Sequence, residues 1–125
     1  MSSPPGRPNP YPYQNEPVWS RTEKVIARTA FDAALKRELQ DVMQKAKQMA
    51  NQIKESADVW ELEHYLTERR KEIDRKYEYR YSQLTHVFGR LLYEGRVSEE
   101  ELRGLGDDKL KSIRSLAGFL AKHAD

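Results

Sequence analysis

Cysteine is absent from this 125-residue sequence, which removes disulfides and thiolate metal sites from consideration and fits a reducing compartment. Proline is absent after Pro17, so nothing of that kind interrupts a helix in the rest of the chain. No stretch approaches the roughly 18 apolar residues of a membrane span, and the amino terminus lacks the apolar core of a signal peptide. These two absences predict a soluble, intracellular, cytoplasmic protein without membrane insertion. One-sided charge is missing too. The 22 Lys plus Arg against 20 Asp plus Glu leave a formal charge of +2, without the basic excess of a nucleic-acid binder. Apolar residues make up only 38% while charged ones reach 34%, which limits the core that one copy can build and predicts a dimer.

What is present divides at Trp19. Residues 1–18 hold Pro4, Pro5, Pro8, Pro10, Pro12 and Pro17 and read as a disordered or polyproline-like arm, to which no function is assigned. Residues 19–122 read as one all-α domain. Its first signal is "SRTE", a capping box in which Ser20 and Glu23 satisfy each other's backbone amides, with Trp19 placed as a hydrophobic staple. In the helix that follows, Leu35, Leu39, Val42, Ala46, Met49 and Ile53 recur in steps of four and three, a seam for a partner helix. This helix is expected to run from Arg21 to about Glu55, roughly 50 Å at 1.5 Å per residue.

"KESADV" breaks the pattern, because Ser56 and Asp58 both suit a helix start. A second helix is expected from Val59 to about Glu94, carrying Leu62, Leu66, Ile73, Tyr77, Tyr81, Leu84, Phe88 and Leu91 on one side. The two helices form a long antiparallel hairpin stalk, and the greasy end of the second leads into a small helical head. Gly95 suits a stop, "SEEE" from Ser98 suits a short helix, and Asp107 suits the cap of a last helix with an apolar stripe at Leu110, Ile113, Leu116, Ala117 and Leu120. No stretch shows period-two alternation, so the expected fold is all-α, assembled as an elongated homodimer.

Reactive groups are sparse: three histidines, His64, His86 and His123, and many surface carboxylates, with no phosphate-cradling glycine loop. Neither a catalytic set nor a cofactor site is expected. Glu61 and His64 have the Glu-x-x-His spacing of di-iron bundles, but the inward carboxylates such a site needs from other helices are not evident, so no metal is expected. The interleaved acids also disfavour nucleic acid as a partner of Arg69, Arg70, Lys71, Arg75 and Lys76. The alternating charges of the second helix are a solvated face. Trp60 is not explained that way: it lies beside the seam and heads a second line through His64, Thr67, Arg70 and Asp74. A second line implies a second partner helix, and aromatics and arginine are the residues that carry interface energy.

The stretch "VWELEHYLTERRKEIDRKYEYRYSQLTHVFGRLLYEGRVSEEELRGL" resembles the fluorescence recovery protein family of cyanobacteria, and the likeness extends from Trp19 to about Leu116. Its most specific parts are Trp60, the cluster Arg70, Glu72, Ile73, Asp74, Lys76, Tyr77 and Arg80, and Val87, Phe88, Leu91, Leu92, Glu94 and Gly95. The resemblance implies a non-catalytic all-α homodimer that binds the photoactivated orange carotenoid protein, mainly through that protein's C-terminal domain. It further implies that binding promotes detachment from the phycobilisome and reversion to the dark-adapted form, ending photoprotective quenching. Dimer contacts are expected at Trp60, Glu63, His64, Thr67, Arg70 and Asp74, and partner contacts in the head at His86, Phe88, Lys109, Ile113 and Arg114. Peripheral association with thylakoid-attached phycobilisomes follows from the same likeness. Three departures mark this chain: Glu63-His64 where the family reads His-Asp, with Glu63 available as the acidic partner of Arg70, His86 where it commonly places phenylalanine, and Ser112 where it places lysine. The competing reading is a diverged relative acting as a helical dimeric scaffold for a different intracellular protein.

Overall fold

The computed structural model describes residues 18–124, so the proline-rich arm, Val18 excepted, lies outside the described residues. Within them the chain forms α1 (Arg21–Asn51), α2 (Ser56–Lys76), α3 (Leu84–Tyr93) and α4 (Asp107–Lys122), and no strand is present. α1 begins with the expected box: Ser20 Oγ accepts from Glu23 N at 3.1 Å and Glu23 Oε1 accepts from Ser20 N at 2.9 Å. At the hairpin, Asp58 accepts from the backbone amides of Lys54 and Glu55, satisfying donors ahead of α2.

α1 belongs to two different environments. Its first half carries Ala27, Ala30, Phe31 and Ala34 into the buried core of the head, where they meet Leu84, Val87, Phe88 and Leu91 of α3 and Ile113 of α4. The alanines matter because small side chains let helices approach closely. Its second half pairs with α2 in the stalk, and no residue of α2 is buried there. The hairpin is thus a thin two-helix layer with its seam half open to solvent.

The expected continuous helix from Val59 to Glu94 does not form. α2 ends at Lys76, residues 77–80 have no regular secondary structure, and α3 starts only at Leu84. The reason is in the side chains of "YEYRY". Tyr77, Tyr79 and Tyr81 alternate with Glu78 and Arg80, and an extended backbone sends alternate residues to one side. Tyr77 and Tyr79 meet the Phe31 ring edge-on, with centroids 5.5 and 5.0 Å away, and Tyr81 lies 5.7 Å from Trp19. A helix would keep Tyr77 and Tyr81 on one side but turn Tyr79 away from Phe31. Contrary to expectation, residues 77–81 do alternate with period two, and that alternation marks this bend.

α3 ends as glycine predicts. Gly95 has φ +75°, Arg96 N donates to Leu91 O at 2.8 Å and Gly95 N to Leu92 O at 3.2 Å, the paired bonds of a Schellman stop. Ser98 and Glu101 make their reciprocal bonds, but only turns follow, because Leu102 and Leu105 turn into the core and Gly104 reverses the chain at φ +103°. Gly106, with Asp107 in the first turn, then opens α4.

Candidate functional site

Stalk and head meet at one buried carboxylate. Glu38 of α1 is 1% exposed and accepts from Arg69 Nη2 at 2.8 Å, Lys76 Nζ at 2.7 Å and the Tyr77 hydroxyl at 2.8 Å. Burial alone would raise its pKa, but the hydrogen bonds from Lys76, Arg69 and Tyr77 and the charge of Lys76 outweigh it and hold the carboxyl down at about 2. Tyr77 is pushed the other way, by burial and then by the Glu38 charge. Lys76 also bonds Glu94 at 2.7 Å, and Arg96, just past α3, lies near Glu38 and pairs with Asp41. One network therefore ties the middle of α1 to the end of α2, the bend and the end of α3.

A second buried pair anchors the start of α1. Lys109 of α4 is 4% exposed, donates to the Val18 carbonyl at 2.7 Å, pairs with Glu23 at 3.1 Å and lies over the Trp19 ring. The Ser20 amide above all holds the Glu23 carboxyl at about 2, with help from Gly106 and Lys109 against the opposing effect of burial.

The expected dimer residues share the outward face of α2. Trp60 is 66% exposed, Glu63, His64, Arg70 and Asp74 are exposed, and Thr67 is half-buried with its hydroxyl donating to Glu63. Trp60 and His64 line a shallow depression with Tyr65, flanked by Glu61 and Glu68. Arg70 and Asp74 rim a separate, mostly apolar groove of about 470 Å³ between α1 and α2, floored by Leu35, Leu39, Val42, Leu66 and Ile73. Leu39 and Leu66, expected inside the hairpin seam, stay 43% and 40% exposed there, and Met43 is 57% exposed. Sequence periodicity could place them on the seam but could not show that a two-helix layer covers only half of it.

The head treats its expected contact residues differently. Phe88 and Ile113 are fully buried and Lys109 nearly so, all three in the interior of the head. None of the three is exposed in this fold. The reason is that they sit on the sides of α3 and α4 that close against each other and α1. His86 and Arg114 do reach the surface, His86 at a cleft of about 400 Å³ with Arg75, Glu78 and Arg90, and Arg114 paired with Glu99. Ser112 is exposed as well.

Among the described residues no group of three or more His, Cys, Asp or Glu is arranged to hold a metal, and no helix is long and apolar enough to cross a membrane. The arrangement defines an all-α hairpin-and-head protein whose distinctive features are surfaces rather than a cleft of reactive groups. The family model of the photoprotection regulator fluorescence recovery protein matches residues 19–117. The chain is 40% identical to the fluorescence recovery protein of Synechocystis sp. over 102 residues, covering 82% of this chain and 94% of that one. The solved structures of the Fremyella diplosiphon and Synechocystis sp. PCC 6803 fluorescence recovery proteins superpose with TM-scores of 0.77 at 42% and 40% identity. Each superposition covers 81% of this chain and 99% of the relative. The chain belongs to the fluorescence recovery protein family.

Proposed function

We propose that this chain is a non-catalytic regulator that binds the photoactivated orange carotenoid protein, promotes its detachment from the phycobilisome and speeds its return to the dark-adapted form. The observation that carries this reading is family membership over residues 19–117, with 40% identity to a relative over 102 residues. A binding protein can drive such a return only by favouring the transition toward the resting form over the activated one; equal affinity for both shifts nothing. The proposed contact is with the carotenoid protein's C-terminal domain. Action would be in the cytoplasm, at the periphery of thylakoid-attached phycobilisomes.

The working unit in this proposal is a homodimer joined through the outward face of α2. Supporting it are an indole 66% exposed on Trp60 and an open apolar groove beside Arg70 and Asp74, a combination that a lone copy leaves in water. Glu63, about two turns from Arg70, supplies a carboxylate for it across the interface. The domain unit is residues 19–122, preceded by the proline-rich arm.

The test mixes the purified protein with photoactivated orange carotenoid protein and follows loss of the red-shifted absorbance in darkness. A recovery rate that rises with protein concentration supports the proposal. An unchanged rate refutes it and leaves the scaffold for a different partner.

A further inference from the structure

The groove of about 470 Å³ between α1 and α2 starts at Leu35, about one helical turn past Phe31, and runs by Leu39 to Val42. An aromatic edge of the head leads up to it. The Trp19 and Tyr81 rings lie 5.7 Å apart, Tyr81 and Tyr79 5.7 Å, and Tyr79 and Phe31 5.0 Å. Lys24 lies over the Tyr81 ring and Arg28 over that of Tyr79. On α1 the positions Lys24, Arg28, Leu35, Leu39 and Val42 share one side at helical spacing, so edge and groove form one strip. The chain is fixed where this strip begins: buried Lys109 holds the Val18 carbonyl, and the Trp19 indole donates to the Tyr81 carbonyl. Attached at that point are residues 1–17, which precede the family match that opens at residue 19.

We propose that in a lone chain this proline-rich segment folds back along the strip and fills the groove, making it a built-in competitor of the second copy. Its regulatory consequence rests on the dimer reading above. Reach selects the occupant. Seventeen residues in a polyproline II helix span about 53 Å, whereas Leu35 and Val42 lie only about 21 and about 32 Å along α1 from Arg21. Counted back from Val18 at about 3.1 Å per residue, Tyr11 comes level with Leu35 and Arg7 with Val42. Composition agrees with reach. Pro8, Pro10 and Pro12 remove every second amide donor from the stretch that meets the groove, so its backbone enters an apolar lining with few donors to satisfy. Proline and tyrosine side chains are also what an aromatic-edged apolar groove accepts. A segment on the same chain has an effective concentration on the order of millimolar, so weak docking suffices. A groove closed about 70% of the time leaves a competent fraction of about 0.3 in each copy. Both copies must open, so the dimer weakens about tenfold.

Sedimentation equilibrium over a dilution series compares the full chain with one lacking residues 1–17. That deletion keeps Val18 for Lys109 and retains the domain that covers 99% of the solved relatives. It is expected to tighten the dimer about tenfold, and the double variant Tyr11→Ala, Tyr13→Ala in the full chain to tighten it about threefold. Dissociation constants of the full and shortened chains within about twofold overturn the inference and leave the dimer standing. A dimer weakened by the deletion overturns it as well. Amide exchange, at a dilution where the full chain is monomeric, is the second readout: residues 35–42 and 66–74 should exchange more slowly with residues 1–17 present than without them. Equal rates overturn the inference. If neither chain dimerises, the dimer reading falls, and the exchange comparison alone decides whether the segment fills the groove.

Discussion

Replacing Glu38 by Gln keeps the side-chain shape and removes the charge on which Arg69, Lys76 and Tyr77 converge. Leaving one partner of a buried ion pair without its counter-charge costs about 3–5 kcal/mol. Here the stranded cations keep second partners: Lys76 retains Glu94, Arg69 retains Glu72 and Arg96 retains Asp41. The expected cost is therefore lower, about 2–3 kcal/mol. A second route reaches a similar figure. A carboxyl held at about 2 in the fold against 4.5 in the unfolded chain contributes about 3 kcal/mol above pH 4.5. The sign follows from the depressed value: the contribution is complete above 4.5 and disappears as pH falls from there toward 2. For a domain of this size the loss lowers the unfolding midpoint by roughly 10–20 °C. Circular dichroism at one fixed protein concentration, from about pH 7 to about pH 2.5, reads both effects, and the fixed concentration keeps any dimer contribution constant. The gap between parent and Glu38→Gln should narrow on acidification. A gap below about 0.5 kcal/mol at neutral pH, or one that stays constant into acid, would refute the view that this carboxylate locks stalk to head.

Trp60→Ala should halve the apparent mass in size-exclusion chromatography coupled to light scattering while leaving helix content unchanged; an unaltered dimer would move the interface off this face of α2. Gly89→Ala forces a Cβ against the Cβ and Cγ of Leu116, not only its tip, and should destabilise the head by about 1–3 kcal/mol, read as a shifted denaturant midpoint with unchanged slope. Lys109→Met removes the donor to the Val18 carbonyl and the cation beside Glu23, so buried Trp19 should become quenchable by iodide; quenching confined to Trp60, as in the parent, would show that α1 stays anchored without it.

Tyr77→Phe separates the two causes of the bend, because it keeps the ring on Phe31 and deletes only the hydroxyl's bonds to Glu38 and to the Ala34 carbonyl. A cost of about 1 kcal/mol with no gain in helicity is expected; a rise in helix content would mean that the hydroxyl, rather than the rings, keeps residues 77–80 out of a helix.

The capping pairs were legible because their chemistry is local. Ser20 and Glu23 stand three residues apart, as do Ser98 and Glu101, and such pairs close without help from the rest of the chain. Gly95 stops α3 by the same local logic. The outward line headed by Trp60 was readable from helical spacing against a charged background, and the structure leaves its members exposed. The bend at residues 77–83 was misread for the opposite reason. No breaker residue lies in it, and what pulls it straight comes from far along the chain: Phe31 and Glu38 on α1, and Trp19, whose indole N–H reaches the Tyr81 carbonyl at 3.2 Å.

The head shows the same division. An apolar stripe on α3 and α4 is visible in the letters, but a stripe that packs a core and a stripe that meets a partner have the same period. Only the closing of α3 and α4 on α1 puts Phe88, Ile113 and Lys109 inside and leaves Phe119 outside. By itself, then, the sequence determined the all-α class, the capping box that starts α1 and the glycine that stops α3, because capping and periodicity act over a few residues. The tertiary structure decided where the second helix breaks and which aromatics meet solvent. Those outcomes depend on contacts between residues tens of positions apart, whose balance of burial and charge exists only once the chain has folded.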